Sequence, residues 1–284
     1  MMKKIIVITI IIILLGCSGD NQSEKITVGT VKYSLDHFIL YYSKSNIKND
    51  KFRFVFFDTY AELRDSFISE DIDLAITPLN EQIAEIEDEI VPLTLLTANG
   101  FGLVSIEQID EISILRQKNI GYLGGTHGKY LIDKIDKKNS LGIKTENYDS
   151  VKELSNAIYD REVFAGLLFV PFVFQMRSSA KEFLFIDALI SDYSSSFLIG
   201  HQEVLKRNFD EINKLIRLNQ KNTDEFLDRP FLLYEMMKDY YGNSKKITKE
   251  SFYRTRFVSK TDSLFSNWKE NYKQLINFYN AEEN

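Results

Sequence analysis

Apolar residues in this chain fall into two patterns: short dense runs, and stretches where they recur every three or four positions. These are the signatures of buried strands and of one-sided helices. Ile26-Thr27-Val28-Gly29-Thr30-Val31 predicts a strand, and Ser34 to Ser43 a short helix with Leu35, Phe38, Ile39 and Tyr42 on one side. Phe52 to Phe57 predicts a second strand, ending at Asp58. Thr59-x-x-Glu62 is a capping box, in which each side chain satisfies a backbone N–H at a helix start, and it opens a helix to about Ser69. Leu74-Ala75-Ile76-Thr77 predicts a brief buried strand, stopped by Pro78.

A second series starts after Asn99-Gly100. Ile120 to Tyr122 predicts a strand, Thr126 to Lys137 a helix, and Ile143 to Asn147 another strand. Ser150-x-x-Glu153 then caps a helix carrying Val151, Leu154, Ala157 and Ile158, and Phe164 to Val170 is a nearly continuous apolar strand before Pro171. Strands alternating with helices favour parallel sheets covered by helices, so the pattern predicts an α/β protein with two such units in tandem. From about Glu203 the period becomes helical, over Glu203 to Gln220, Pro230 to Tyr240 and Asp262 to Tyr279, with a break at Gly242 and Asn243. Leu264, Trp268, Tyr272, Leu275 and Phe278 share one face of the last helix, a core stripe.

The first residues follow a different logic. Lys3 and Lys4 precede an apolar run from Ile5 to Leu15. As a helix that run rises only about 16 Å, roughly half of a hydrocarbon core about 30 Å thick, so it predicts a secretory signal at residues 1–16 and not a permanent span. Leu14-Leu15-Gly16-Cys17 resembles the bacterial lipobox, which implies cleavage before Cys17 and a diacylglycerol, with acyl chains such as palmitate, carried on its sulfur. An ordinary signal peptide with an incidental cysteine is the alternative. Cys17 is the only cysteine among 284 residues, so no disulfide is open to the exported chain. Residues 17–25 are polar and aperiodic, a tether between lipid and fold. The net charge of −6, with no stripe of Lys or Arg, excludes nucleic acid as an expected partner.

Few residues promise chemistry. In "GYLGGTHGKY", 121 to 130, a strand ends in a glycine-rich turn and a helix begins, so free backbone N–H groups face the loop, a place suited to an anion. The alternative is a plain glycine turn with Thr126 as N-cap. The stretch is not a P-loop, since Leu123 stands where the first glycine belongs and Tyr130 where a magnesium-holding hydroxyl belongs. His37, His127 and His201 are far apart in sequence, so no metal site is expected, and no cofactor. There is no Gly-x-Ser-x-Gly and no cysteine nucleophile beyond the lipidated one, so no catalytic residue is assigned. Asp71 and Asp73 are assigned a structural role, and Glu81, Glu85, Glu87, Asp88 and Glu89 a solvated helix face.

Three longer stretches carry a resemblance: "TYAELRDSFISEDIDLAITP" at 59 to 78, "IGYLGGTHGKYLIDKI" at 120 to 135 and "SSSFLIGHQEVLKRNFDEINKLI" at 194 to 216. In their order the chain resembles the solute-binding lipoproteins of ABC importers, in the group that includes sulfonate, nitrate and thiamine-precursor binding proteins. The resemblance implies a type II periplasmic binding fold, a two-lobed clamp. Each lobe would be a mainly parallel sheet flanked by helices, with a helical C-terminal region. Residues 26–98 and 200–284 would form lobe 1 and residues 99–199 lobe 2, with chain crossings near Thr97 to Gly102 and Ser191 to Gly200. A ligand would lie between lobes, at the carboxyl ends of the parallel strands. Carried onto this sequence, the ligand-binding candidates are Tyr33, Ser34 and Asp36; Asp58 and Thr59; Thr77 and Pro78; Gly125, Thr126 and His127; and Phe172. Phe169-Val170-Pro171 departs from the group's aromatic-acid-Pro triplet, and the lost acid counts against a cationic-ligand subgroup.

The expected function is therefore that of a monomeric solute-binding protein of the cell envelope, lipid-anchored to a membrane through Cys17 and facing the extracytoplasmic side. It would close over a small anionic or planar molecule and pass it to an ABC-transporter permease. Hinge closure driven by contacts from both lobes would suffice, without catalysis. Two other readings remain open. One is an enzyme of the menaquinone route on the same fold, whose cytosolic substrates sit badly with an export signal. The other is a surface lipoprotein for protein interaction, whose cleft would be plugged by aromatic side chains.

Overall fold

Every residue of β1 (Ile26–Val31) is buried, which places this strand inside a sheet and not at its edge. In the computed structural model, which describes residues 25–32, 34–47, 51–176, 182–190, 193–241 and 245–282, β1 lies between β2 (Phe52–Phe57) and β3 (Leu74–Thr77), parallel to both. The signal segment, Cys17 and Tyr33 fall outside the described residues. Gly29 is the close point of β1: a Cβ there would stand 2.6 Å from the Leu63 side chain of α2 (Tyr60–Ile68) and closer still to Ile72, so glycine gives those two side chains their room against the strand.

Side chains from the connections lock these strands together. Asp73 accepts hydrogen bonds from the Thr27 backbone N–H (2.6 Å) and hydroxyl (2.7 Å), and its own N–H donates to that hydroxyl, so the starts of β1 and β3 are stapled. Asp73 has the structural role that the sequence assigned it. Thr59 caps α2 by the expected reciprocal box with Glu62. The helix after β1 starts later than expected, as α1 (Phe38–Ser45). The Ser34 hydroxyl donates to the Asp36 carboxylate and accepts from the Asp36 N–H, a local turn that competes with helix over Ser34 to His37.

After α3 (Glu81–Glu85), β4 (Ile90–Ala98) runs through this first sheet. The chain then turns at Asn99 and Gly100, both with positive φ, and enters a second sheet as β5 (Phe101–Ser105). The second sheet adds β6 (Asn119–Leu123), α4 (Gly128–Asn139), β7 (Lys144–Tyr148), α5 (Val151–Tyr159), β8 (Ala165–Phe169), α6 (Phe172–Gln175) and β9 (Glu182–Phe185). Its order is β7-β6-β8-β5-β9. The chain returns to the first sheet as β10 (Ser194–His201) and later β11 (Arg256–Phe257), giving the order β11-β4-β10-β3-β1-β2.

The units β2-β1-β3 and β7-β6-β8 are parallel, as expected; β10, β4, β11, β5 and β9 extend them antiparallel, so both sheets are mixed. The helical tail comprises α7 (Gln202–Asp228), α8 (Pro230–Tyr241), α9 (Lys245–Arg254) and α10 (Ser263–Glu282). The α10 stripe is core: Leu264, Trp268, Tyr272 and Leu275 are buried, Phe278 is half-buried, and Trp268 and Tyr272 lie against Phe197 of β10.

Candidate functional site

The loops that leave the carboxyl ends of β1, β2 and β3 face those that leave β6, β7 and β8 across a seam between the sheets. Asn80 Nδ2 donates to the Gly125 carbonyl at 3.2 Å, and the Tyr60 and Phe169 rings meet edge to face at 5.6 Å. Gly125 has φ +71, and a Cβ there would lie 2.9 Å from Cβ of Tyr60 and 3.2 Å from its carbonyl carbon. Glycine is thus what lets the β6–α4 turn close onto the start of α2.

Along the seam the described residues line small pockets. One of about 30 Å³ is lined by Asp58, Thr59, Tyr60, Gly124, Asp149, Ser150, Phe169 and Phe172. A deeper one of about 20 Å³ adjoins it through Tyr60 and Phe169, and is lined by Asp36, Pro78, Asn99, Phe101, Val170, Ser195 and Thr255. The third, of about 50 Å³, holds Arg64, Asn80, Gly125, Thr126, Lys129 and Asn147. Each has room for a few waters at most, so among the described residues the two walls are closely packed here.

The deep pocket collects the polar groups. Asp36 Oδ1 accepts from the Thr97 hydroxyl at 2.7 Å and Oδ2 from Ser34 at 2.9 Å. Burial pushes its carboxyl above the ordinary carboxylate value, while the hydroxyls of Thr97, Ser34 and Ser196 pull the other way. The Tyr60 phenol is raised well above its ordinary value, chiefly by burial and then by the charge of Asp36. Asn99 Oδ1 and the hydroxyls of Ser194 and Thr255 are buried without a hydrogen-bond partner. His127 is fully buried with both ring nitrogens unpartnered, against Phe101 at 5.1 Å and Tyr193 at 6.4 Å; burial lowers its pKa to about 3, so the ring is neutral.

Ser34, Asp36 and Pro78 therefore meet in or beside the deep pocket, while Asp58, Thr59 and Phe172 line the one nearer the surface. Asp58 is paired with Lys32 at 2.6 Å on the exposed side. Thr77 is buried and turned inward, donating to the Pro78 carbonyl. Thr126 serves its own turn, donating to the Leu123 carbonyl (2.6 Å) and accepting from the Gly128 N–H (3.2 Å), which delays α4 to Gly128. Gly125 and Thr126 line the third pocket, where Arg64 is already paired with Asp65 at 2.7 Å.

Val170, where the resemblance expects an acid, faces the same pocket as Asp36. Reading the sequence missed Tyr60, Phe101, Asn99, Ser195 and Thr255. Tyr60 was findable, as the residue after a capping threonine at a strand end. Thr255 comes from the end of the helical tail and had no local signal.

No protein-family model matches the chain. No curated protein sequence matches it. Solved structures do. A ligand-binding component of an ABC-type import system from Staphylococcus aureus, solved with zinc bound, is 16% identical with TM-score 0.75, over 91% of this chain and 93% of that one. The periplasmic aliphatic sulphonate-binding protein of Escherichia coli is 11% identical with TM-score 0.68, over 92% and 94%. The alkanesulfonate-binding protein of Xanthomonas axonopodis pv. citri, bound to MOPS, is 12% identical with TM-score 0.69, over 91% and 90%. This likeness over nearly the whole chain establishes the two-lobed periplasmic-binding fold.

Proposed function

We propose that this protein captures a small, planar molecule between its two lobes and delivers it to an ABC importer, as a lipoprotein anchored through Cys17 on the extracytoplasmic side of a membrane. The observation that carries this is the seam itself. Two α/β sheets meet strand end to strand end, with aromatic walls and a buried polar floor, and the chain passes between them at Asn99-Gly100 and again before Ser194. The aromatic residues Tyr60, Phe101, Phe169 and Phe172 suit stacking on a flat body. Such a ligand enters when the lobes part and holds them together afterwards. Anchorage rests on the lipobox, and the similar solved structures are binding proteins. No group of His, Cys, Asp or Glu among the described residues is arranged to hold a metal.

The test is a thermal-shift panel on residues 18–284, expressed without lipid, with native mass spectrometry of the same sample. A ligand at about 100 times its Kd adds roughly 2.7 kcal/mol, a shift of a few degrees for a body of this size. A co-purified small molecule or a clear shift supports capture. A second reading, an interaction lipoprotein, is favoured by pockets of only about 20 to 50 Å³ between packed aromatic rings. Silence across sulfonates, pyrimidines, amino acids and oxyanions, from folded protein, would transfer the weight to it.

A further inference from the structure

We propose that the deep end of the seam receives a positively charged, hydrogen-bond-donating head group, an ammonium, an amidinium or a protonated amino-heterocycle, seated against the Asp36 carboxylate. This rests on the reading of the protein as a solute-capturing clamp and names the class of solute. Four observations converge on it. Asp36 lines the pocket, and no lysine, arginine or histidine among the described residues is paired with it. An ionised carboxylate has about four acceptor sites, and here Thr97 and Ser34 each donate to one oxygen with the Ser196 hydroxyl beside them, which leaves acceptor capacity unused. The other unpartnered groups on the lining are oxygens: Asn99 Oδ1, an obligate acceptor, and the Thr255 hydroxyl, which stands only 3.5 Å from the place a Cβ would occupy on Gly100. Finally, Tyr60, Phe101 and Phe169 border the same pocket, and aromatic faces attract cations.

A buried carboxylate is costly unless a charge of opposite sign meets it. Among the described residues no cation supplies that partner, and an anion at this spot would meet Asp36 with no compensating charge from them. The remaining basic pocket offers an anion less than its composition suggests, because Arg64 is paired with Asp65 and reaches Gln82. At about 20 Å³ the deep pocket admits the head group only while the lobes are apart, so binding and closure are one event.

Three probes share a ring and differ in charge: benzamidine, benzamide and benzoate. Titrated by NMR into residues 18–284, benzamidine should bind at least about tenfold tighter than the other two. Asp36→Asn should weaken it by about 30-fold or more, the usual consequence of removing one partner of a buried charge pair, and leave benzamide unaffected. Benzoate binding best, or benzamidine indifferent to Asp36→Asn, overturns the assignment while leaving solute capture standing. Failure of all three probes overturns it too, and capture is then judged separately, by whether a small molecule co-purifies. Should Asp36→Asn not fold, the wild-type protein decides. Benzamidine stays cationic throughout, so its affinity must fall as acid protonates Asp36, and a flat profile contradicts the proposal.

Discussion

His127 shows how one buried side chain sets a pH response. Its nitrogens have no partners and its pKa is lowered to about 3 by burial, as is that of His37, against an ordinary value near 6.5. Between those values the unfolded chain binds protons that the folded chain refuses, so stability is complete above about pH 6.5 and declines as the pH falls toward 3. Each such histidine contributes a slope of about 1.4 kcal/mol per pH unit within that window. Asp36, raised by burial, acts oppositely, gaining protons on folding and softening the decline at the acid end. Urea titrations at pH 7 and pH 5 should show a loss of roughly 2 kcal/mol or more, and His127→Phe should remove about half of the slope while costing little at pH 7, because it replaces unpartnered polar atoms with a ring of similar shape. An unchanged slope in that variant would contradict the assignment.

A second prediction at this scale concerns Asp73, whose bonds to Thr27 join two strand starts. Asp73→Ala should cost about 1.5 to 3 kcal/mol, read as a lower urea midpoint with an unaltered m-value. Asp73 was legible in the sequence as a structural acid at a strand entry. Asp36 was legible only as one residue of a loop, because its partner Thr97 is 61 positions away. Thr255, in the tail, gave even less notice.

Among the elements, those whose ends carry their own chemistry were legible to the residue. Thr59 and Ser150 cap α2 and α5 where their boxes predict, and β2 and β3 span the expected positions. Thr59→Ala should therefore cost about 1 kcal/mol of stability, read as a lower urea midpoint with an unaltered m-value. What the pattern hid were the elements fixed by partners. β4 contains Pro92, which speaks against a strand, yet Pro92 faces Ile199 where the register with β10 slips, and an irregularity tolerates a missing N–H. Lys245–Arg254 is mostly polar (KKITKESFYR), and the break at Gly242 concealed it as a helix. Gly125 offers a test of the turn: Gly125→Ala collides with Tyr60, so the β6–α4 turn should no longer close onto α2. Amide exchange at the start of α2 should accelerate in that variant while the exchange of β1 stays slow; protection equal to wild type would refute the role given to this glycine.

At the scale of the molecule, two tandem α/β units and a helical tail were visible from periodicity alone. Their mutual placement was not, because antiparallel crossings such as β5 and β10 depend on contacts between distant segments. The clamp that results has its floor of acceptors near the point where the chain turns at Asn99-Gly100, and its aromatic walls farther out. Ligand contacts on both walls are what would favour the closed state. Since Cys17 is the only cysteine, residues 18–284 contain none, and a dye pair can be placed without interference. Arg53 on β2 and Lys152 on α5 are exposed, one on each lobe. The direct measurement is the dye-to-dye distance in Arg53→Cys/Lys152→Cys, before and after adding the molecule that raises the melting temperature. Closure over a ligand predicts a longer, broader distance distribution that becomes short and narrow on binding; a distance that ligand leaves unchanged contradicts the clamp.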